Sequence, residues 1–114
     1  MTLIYKISPR ELWTEAQIRG VFEGAPIDLA DGYIHFSAAH QVRETATKYF
    51  KNMPDLVLAA IDATALGSAL KWEASRGGDL FPHLYGPLQM TAVTMVYDMP
   101  LDIDGTPVLP VILP

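Results

Sequence analysis

The sequence predicts an α+β domain, and three observations support this fold class. Residues 55–62, "DLVLAAID", form a near-continuous apolar run of strand length, which is typical of a central strand buried on both faces. Residues 9–20 and 38–53 have apolar side chains at helical spacing. The order β-α-β-α-β-β-β is neither a regular βαβ alternation nor an all-β pattern. We therefore expect two main helices on a small, mixed or mostly antiparallel sheet, in one domain spanning residues 1–114.

The first elements are predicted from strand alternation and helix-start signals. Residues 2–7, "TLIYKI", read as a short strand. Ser8 is expected to cap the helix that follows, with Glu11 three residues later completing a capping box. That helix should end near Gly20, because glycine is favoured just beyond a helix C-terminus. Residues 23–32, "EGAPIDLADG", are rich in turn-forming residues and predict a loop.

The remaining elements follow the same reasoning. Residues 33–37, "YIHFS", predict a strand, and the helix after it should end at Pro54. Beyond the central strand we expect one helical turn at 63–68, strands at 69–75 and 90–99, and an extended tail at 100–114. The tail contains four prolines and an apolar end, so it should lie over the body or against a partner chain.

Composition excludes several classes of function. The formal net charge is −5 and the eight basic residues are scattered, which argues against nucleic acid as a partner. No apolar run is long enough for a membrane span, and no secretory signal is expected at the N-terminus. The sequence has no cysteine, which excludes disulfides and zinc-thiolate sites and fits a reducing compartment. We therefore expect a cytoplasmic protein whose ligand, if it has one, is a small molecule.

Residues 75–88, "SRGGDLFPHLYGPL", are the richest candidate site. Turn-forming glycines and prolines here carry large aromatic and titratable side chains, unlike an ordinary polar loop. One interpretation is a structural loop whose rings fill the core; the other is a pocket wall with rings for a planar ligand. The pocket interpretation predicts buried anchors at Phe81 and Leu84, and Arg76, His83 and Tyr85 directed into a cleft.

A second candidate is the strand at 33–37. His35 alternates with Ile34 and Phe36, so it should point away from the core if they point into it. Ser37 is two residues further on and is expected on the same face as His35. A histidine and a hydroxyl side by side at a strand end could hydrogen-bond a sugar or an amide. The alternative is a surface or structurally bonded histidine.

Other motifs are absent or favour structural roles. There is no G-x-S-x-G elbow, no phosphate-binding loop ending in Gly-Lys-Ser/Thr, and no G-x-G-x-x-G. A metal site from His35, Glu73 and His83 is conceivable, but no metal motif supports it, so no metal is predicted. Asp28, Asp31, Asp102 and Asp104 occupy turn contexts and are expected to form Asx-turns.

Three stretches together resemble a bacterial family known as the domain of unknown function nine-five-two. They are "DGYIHFSAAHQV", "DLVLAAID" and "LKWEASRGGDLFPHLYGPL". That family is similar, distantly, to the ADP-ribosyltransferase-like fold, and "YIHFS" followed by a helix resembles the second half of the RNA 2′-phosphotransferases. The resemblance implies an ADP-ribosyltransferase-like domain and a nucleotide-like or NAD-derived ligand, with NAD as the candidate substrate.

The resemblance also implies roles for particular residues. The cleft would lie between the strands bearing Lys6 and His35 and the loop at 75–88. In it, His35 and Ser37 would hydrogen-bond a ribose or amide, Tyr85 or Phe81 would stack on a ring, and Arg76 would meet a phosphate. Lys6 stands at the ligand-contacting position of the first strand. Glu73 would act with His35 in catalysis, as a general base or an oxocarbenium stabiliser, provided that burial raises its pKa.

Two alternatives remain at this stage. The first is a non-enzymatic binding or regulatory module, favoured because Ile7 stands where the related pattern has glycine. The second is a dimer interface built from the loop at 75–88 and the apolar end of the tail, "PVLPVILP".

Overall fold

The structure is a computed structural model in which residues 1–75, 77–111 and 113 are described. In chain order its strands and α-helices are β1 (Leu3–Pro9), α1 (Arg10–Arg19), β2 (Val21–Phe22), α2 (Pro26–Asp31), β3 (Ile34–His35), β4 (Ser37–Ala38), α3 (Val42–Tyr49), β5 (Leu56–Asp62), β6 (Leu70–Ser75), β7 (Asp79–Leu84), β8 (Leu88–Gln89) and β9 (Val93–Met99). Short 3-10 helices lie at Ala39–Gln41, Ala63–Ala69 and Met90–Ala92.

The strands form antiparallel sheets, which confirms the α+β class. A four-stranded sheet has the order β4-β1-β5-β9, and a three-stranded sheet has the order β3-β7-β6. Strands β2 and β8 form a small separate pair. The connections between sheets are short, so the three-stranded sheet packs beside the larger one and shares its core.

The prediction that residues 55–62 form a central strand is confirmed. Strand β5 pairs with β1 on one side and β9 on the other. Its residues alternate between two separate hydrophobic clusters, one on each face of the sheet. Val57, Ala59 and Ile61 enter the first cluster, which also receives α1 and the three-stranded sheet. Leu58 and Ala60 enter the second, which is covered by α3.

The tail packs on the body of the protein. Leu113 is buried in the second cluster, and Leu109 packs against it. Leu101 and Pro107 form an isolated antiparallel bridge. Asp102 accepts hydrogen bonds from two main-chain amides further along the tail, which is the Asx-type turn predicted for it. The dimer contact predicted through the tail stays a prediction.

The helix predictions need three corrections. Ser8 does not cap α1: Pro9 occupies the N-cap, no side chain caps the helix, and the Ser8 hydroxyl donates instead to the Pro9 carbonyl. The predicted loop at 23–32 contains α2, a helix begun by Pro26 at its first turn. The predicted helix at 38–53 is shorter, because a 3-10 turn precedes α3. None of the helices in the described part of the chain is long and apolar enough to cross a membrane.

Two strand predictions also differ from the structure. Residues 33–37 do not form one strand: β3 pairs with β7, whereas β4 pairs with β1 in the other sheet. Residues 75–88 are not a loop throughout, because residues 79–84 form β7, the middle strand of the three-stranded sheet. The turn-forming residues misled the prediction. Gly77 and Gly78, both with positive φ, make the tight turn of a β6–β7 hairpin, and Pro82 is accommodated within the strand.

Candidate functional site

Two histidines lie directly opposite each other on neighbouring strands. His35 of β3 is in register with His83 of β7, and the two ring centroids are 5.5 Å apart, edge to face. Ile34 and Leu84, the next residues of the same two strands, point into the first hydrophobic cluster. Because side chains alternate along a strand, the histidines occupy the opposite face of the sheet. This face of β3-β7-β6 is the candidate site.

Glu73 of β6 connects His83 to Tyr85. One carboxylate oxygen, Oε1, lies 2.8 Å from His83 Nδ1 and accepts a 2.7 Å hydrogen bond from the Tyr85 hydroxyl. These hydrogen bonds from Tyr85 and His83 lower the pKa of Glu73, against the effect of burial. The same bond to Glu73 raises the pKa of Tyr85 to about 12. The expectation that burial would raise the pKa of Glu73 is therefore wrong: hydrogen bonding outweighs desolvation, and the carboxylate is ionised.

Tyr33 sits at the centre of a cluster of rings. Its ring centroid is 4.2 Å from His83, 4.7 Å from His35 and 5.2 Å from Tyr85. Burial raises the pKa of Tyr33, and the negative charges of Asp31 and Glu73 raise it further. The four rings, Tyr33, His35, His83 and Tyr85, together with the Glu73 carboxylate, are called the ring cluster below.

Asp28 of α2 lies behind the ring cluster and is completely buried. Its carboxylate receives the Lys6 ammonium at 2.9 and 3.1 Å. It also accepts from the main-chain N–H groups of Ala25 and His35, and its Oδ1 is 2.6 Å from His35 Nδ1. Four groups from three segments therefore meet at one carboxylate, which holds α2 against β1 and β3.

The charge states of Asp28 and Lys6 follow from the groups that surround them. Burial opposes ionisation of Asp28, but the hydrogen bond from His35, the charge of Lys6 and the Ala25 amide outweigh it and lower the pKa to about 2. Burial lowers the pKa of Lys6, and attraction to Asp28 acts in the opposite direction. The Lys6 ammonium also donates to the His35 carbonyl at 2.9 Å, so all its hydrogen bonds are made inside the protein.

His35 is held from both sides of its ring. Besides the Nδ1 contact with Asp28, its Nε2 is 2.9 Å from an oxygen of Asp31, the last residue of α2. The His35 side chain is about one-third exposed, and that of Asp31 is 42% exposed, so this second contact lies at the surface. The outward orientation predicted for His35 is found, with Ile34 and Phe36 both buried.

The structure brings some predicted site residues together and separates others. His35, Glu73, His83 and Tyr85 converge in the ring cluster. Ser37 does not join them: the chain crosses to the other sheet at β4, and the buried Ser37 hydroxyl lies 3.1 Å from that of Thr45. The prediction for Arg76 falls outside the described residues. Phe81 and Leu84 are buried as anchors, as predicted.

Sequence reasoning missed Asp28, Asp31 and Tyr33. Tyr33 could have been found, since it precedes His35 by two residues and so shares its face. Asp28 carried no such signal, because its segment was interpreted as a loop and its partner Lys6 is 22 residues away. The prediction of an Asx-turn at Asp28 is wrong: its side chain serves the buried ion pair and the helix start.

The ring cluster has an exposed and a buried part: Tyr85 is 43% exposed, whereas His83, which was predicted to reach a cleft, is only 4% exposed. Shallow depressions of about 500 and 350 Å³ lie elsewhere, one beside Gly20 and Pro87 and the other beside β9. None of the ring-cluster residues lines either depression. Within the described ranges, no group of three or more histidine, aspartate or glutamate side chains is arranged to hold a metal ion.

The chain is similar to a protein family and to solved structures of a bacterial protein. Residues 7–96 match the family described as "Protein of unknown function (DUF952)". The crystal structure of protein CC0527 from Caulobacter crescentus is similar, with 56% sequence identity, 95% of each chain covered and a TM-score of 0.92. The solution NMR structure of CC0527 matches with 56% identity, a TM-score of 0.84, and 94% of this chain and 92% of that chain covered. No curated protein matched. These similarities confirm the α+β fold but do not confirm an ADP-ribosyltransferase-like assignment.

Proposed function

The chain belongs to the family described as a protein of unknown function (DUF952), and we propose that it binds a nucleotide-like or NAD-derived small molecule on the ring cluster. The observation that carries this proposal is the Glu73 carboxylate shared by His83 and Tyr85. An ionised carboxylate that fixes both a buried imidazole and an exposed phenol preorganises polar groups around the Tyr85 ring. Small-molecule sites combine such rings with a few fixed polar groups.

The proposed contacts follow the exposure of each group. Tyr85 is 43% exposed and offers a ring face for stacking on a base or a nicotinamide ring. The His35 side chain is about one-third exposed and offers a ring nitrogen to a ribose hydroxyl or an amide, whereas His83 is only 4% exposed. Lys6 has its hydrogen bonds inside the protein, so in this proposal it supports the site by holding Asp28 rather than by meeting the ligand. A phosphate contact by Arg76 stays a prediction.

A second candidate function is a non-enzymatic binding module of the same fold. The lowered pKa of Glu73 favours it, because a carboxylate that is a weak base is a poor general base. In this version Glu73 orients His83 and Tyr85, and the site recognises a ligand without transforming it.

Calorimetry with NAD and with ADP-ribose tests the proposal. We expect binding of at least one of them by the unmodified chain, and about tenfold weaker binding by the Tyr85→Phe variant, which loses one hydrogen bond to Glu73. His40→Ala is the matched control, since His40 is 69% exposed and outside the ring cluster. No heat with either ligand would remove the nucleotide claim.

The two versions of the proposal are separated by following the bound ligand over time. Release of nicotinamide from NAD, measured by chromatography, supports an enzyme. Binding without any chemical change over hours supports the module. Binding that is equally weakened in Tyr85→Phe and His40→Ala would place the ligand away from the ring cluster and refute both versions.

A further inference from the structure

Two carboxylate–histidine pairs face each other across β3 and β7. Asp28 is 2.6 Å from His35 Nδ1, and Glu73 is 2.8 Å from His83 Nδ1. An ionised carboxylate only accepts hydrogen bonds, so each Nδ1 must carry a hydrogen. Each ring is thereby fixed in orientation, and the second nitrogen, Nε2, decides what the histidine can do.

The two histidines differ at that second nitrogen. His35 Nε2 is 2.9 Å from Asp31, a second carboxylate. Both nitrogens of His35 can donate only when the ring is protonated. His83 has its contact with Glu73 at Nδ1, and a neutral ring with a hydrogen on Nδ1 and a bare Nε2 satisfies that contact fully.

We propose that His35 and His83 form a complementary pair, in which His35 is the protonated partner that donates a proton and His83 is the neutral partner that accepts one. Opposite environments around two titratable groups in one site are the arrangement that separates an acid from a base. The roles predicted from the sequence therefore change: His83 is the base, and Glu73 is the residue that positions it.

The groups around His35 agree with this assignment. Asp28 and Asp31 of α2 face its two nitrogens with negative charge. The Lys6 ammonium from β1 contacts the His35 carbonyl and is already paired with Asp28. The His83 ring from the hairpin and the Tyr33 ring, which immediately precedes β3, both lie against the His35 ring. A neutral His83 is the partner that a protonated His35 can tolerate at this distance, because two positive rings would repel each other.

The ligand class that fits the pair rests on the proposed function of the ring cluster. The ligand displaces the exposed Asp31 side chain from His35 Nε2. A ligand oxygen then accepts the hydrogen of His35 Nε2. A neighbouring ligand hydroxyl donates a hydrogen bond to the bare Nε2 of His83, whose side chain is 5% exposed. The fitting fragment is a hydroxyl beside an acceptor oxygen.

The protonation states can be measured without any ligand. In the full chain labelled with ¹⁵N, long-range ¹H–¹⁵N correlation at pH about 7 distinguishes the two neutral forms of histidine from the protonated form. We expect protons on both nitrogens of His35 and on Nδ1 alone of His83. The exposed His40 serves as an internal reference. A neutral His35, or a His83 with a proton on Nε2, would overturn the proposal.

A pair of variants tests the part played by Asp31. Asp31→Asn replaces the carboxylate with an amide that can donate to Nε2, so we expect His35 to lose its Nε2 proton. Asp104→Asn makes the same change of charge on an exposed tail residue and should leave both histidines unchanged. An unchanged His35 in Asp31→Asn would refute the proposed role. Since no ligand is used, this outcome is independent of the calorimetry that tests ligand binding.

Discussion

Replacing Asp28 with asparagine should destabilise the protein more than any other single carboxylate-to-amide change in the described structure. The substitution keeps the size of the side chain but removes the negative charge to which Lys6 is bound at 2.9 Å. Both side chains are almost completely buried, at 0% and 7% exposure. The Lys6 ammonium would therefore remain inside the protein without a counter-charge.

The magnitude follows from what the asparagine can and cannot replace. Its amide oxygen can still accept from one main-chain N–H, such as that of Ala25. It cannot supply the charge-assisted contacts to Lys6 and to His35 Nδ1. Removing one partner of a buried ion pair costs about 3–5 kcal/mol, out of a total unfolding free energy of about 5–15 kcal/mol for a domain.

Urea denaturation at neutral pH measures this cost. With a slope of about 2 kcal/mol per molar urea, we expect the midpoint of Asp28→Asn to fall by about 2 M. Asp104→Asn is the matched control and should stay within about 0.5 kcal/mol of the unmodified chain. A second variant, Lys6→Met combined with Asp28→Asn, removes the stranded charge and should be more stable than Asp28→Asn alone. An Asp28→Asn variant as stable as the control would refute the reasoning.

Three further predictions concern the same ion pair, the ring cluster and the hairpin. The folded pKa of Asp28 is about 2 and its ordinary value is 3.8, so ionisation of this carboxylate contributes roughly 2 kcal/mol to the free energy of unfolding. That contribution is fully present above about pH 4 and is lost as the pH falls towards 2. The stabilities of the unmodified chain and Asp28→Asn, measured by urea titration, should therefore converge over that window. Glu73→Gln should lower the pKa of Tyr85 from about 12 towards its ordinary value of 10.0, seen as tyrosinate absorbance at lower pH; an unchanged titration would contradict the shared hydrogen bond. Phe81→Ala should cost about 3–5 kcal/mol and Leu80→Ala at most about 1 kcal/mol, because Phe81 is 4% exposed and Leu80 51%; equal losses in thermal or urea unfolding would argue against the strand assignment of β7.

Local sequence patterns were sufficient to predict the elements whose hydrophobic periodicity matches the burial of their side chains in the structure. Strand β5 was predicted from its continuous apolar run, since a strand with a hydrophobic cluster on each face needs apolar residues at every position. Helix α1 was predicted with bounds within about a residue, although the cap was not: the Ser8 hydroxyl donates to a carbonyl instead of accepting from the helix.

Local patterns failed where turn-forming residues occupy regular structure. Strand β7 contains Pro82 and follows two glycines, which is the composition of a loop. It is a strand because β6 and β3 pair with it on both sides, and long-range pairing overrides local propensity. For the same reason Ser37, two residues from His35, was predicted to lie beside it, whereas the change of sheet at β4 carries Ser37 away.

The sequence by itself determined the α+β class, the central strand and family membership through its motifs, and it singled out His35, Glu73, His83 and Tyr85 as candidate site residues. These conclusions depend on residue type and on spacing within single elements. Only the tertiary structure decided that Lys6 is a buried partner of Asp28 and that Glu73 is a weak base held by His83 and Tyr85. Those properties arise from charges brought within 3 Å across separate segments, and the balance between burial and hydrogen bonding at such contacts exists only once the chain is folded.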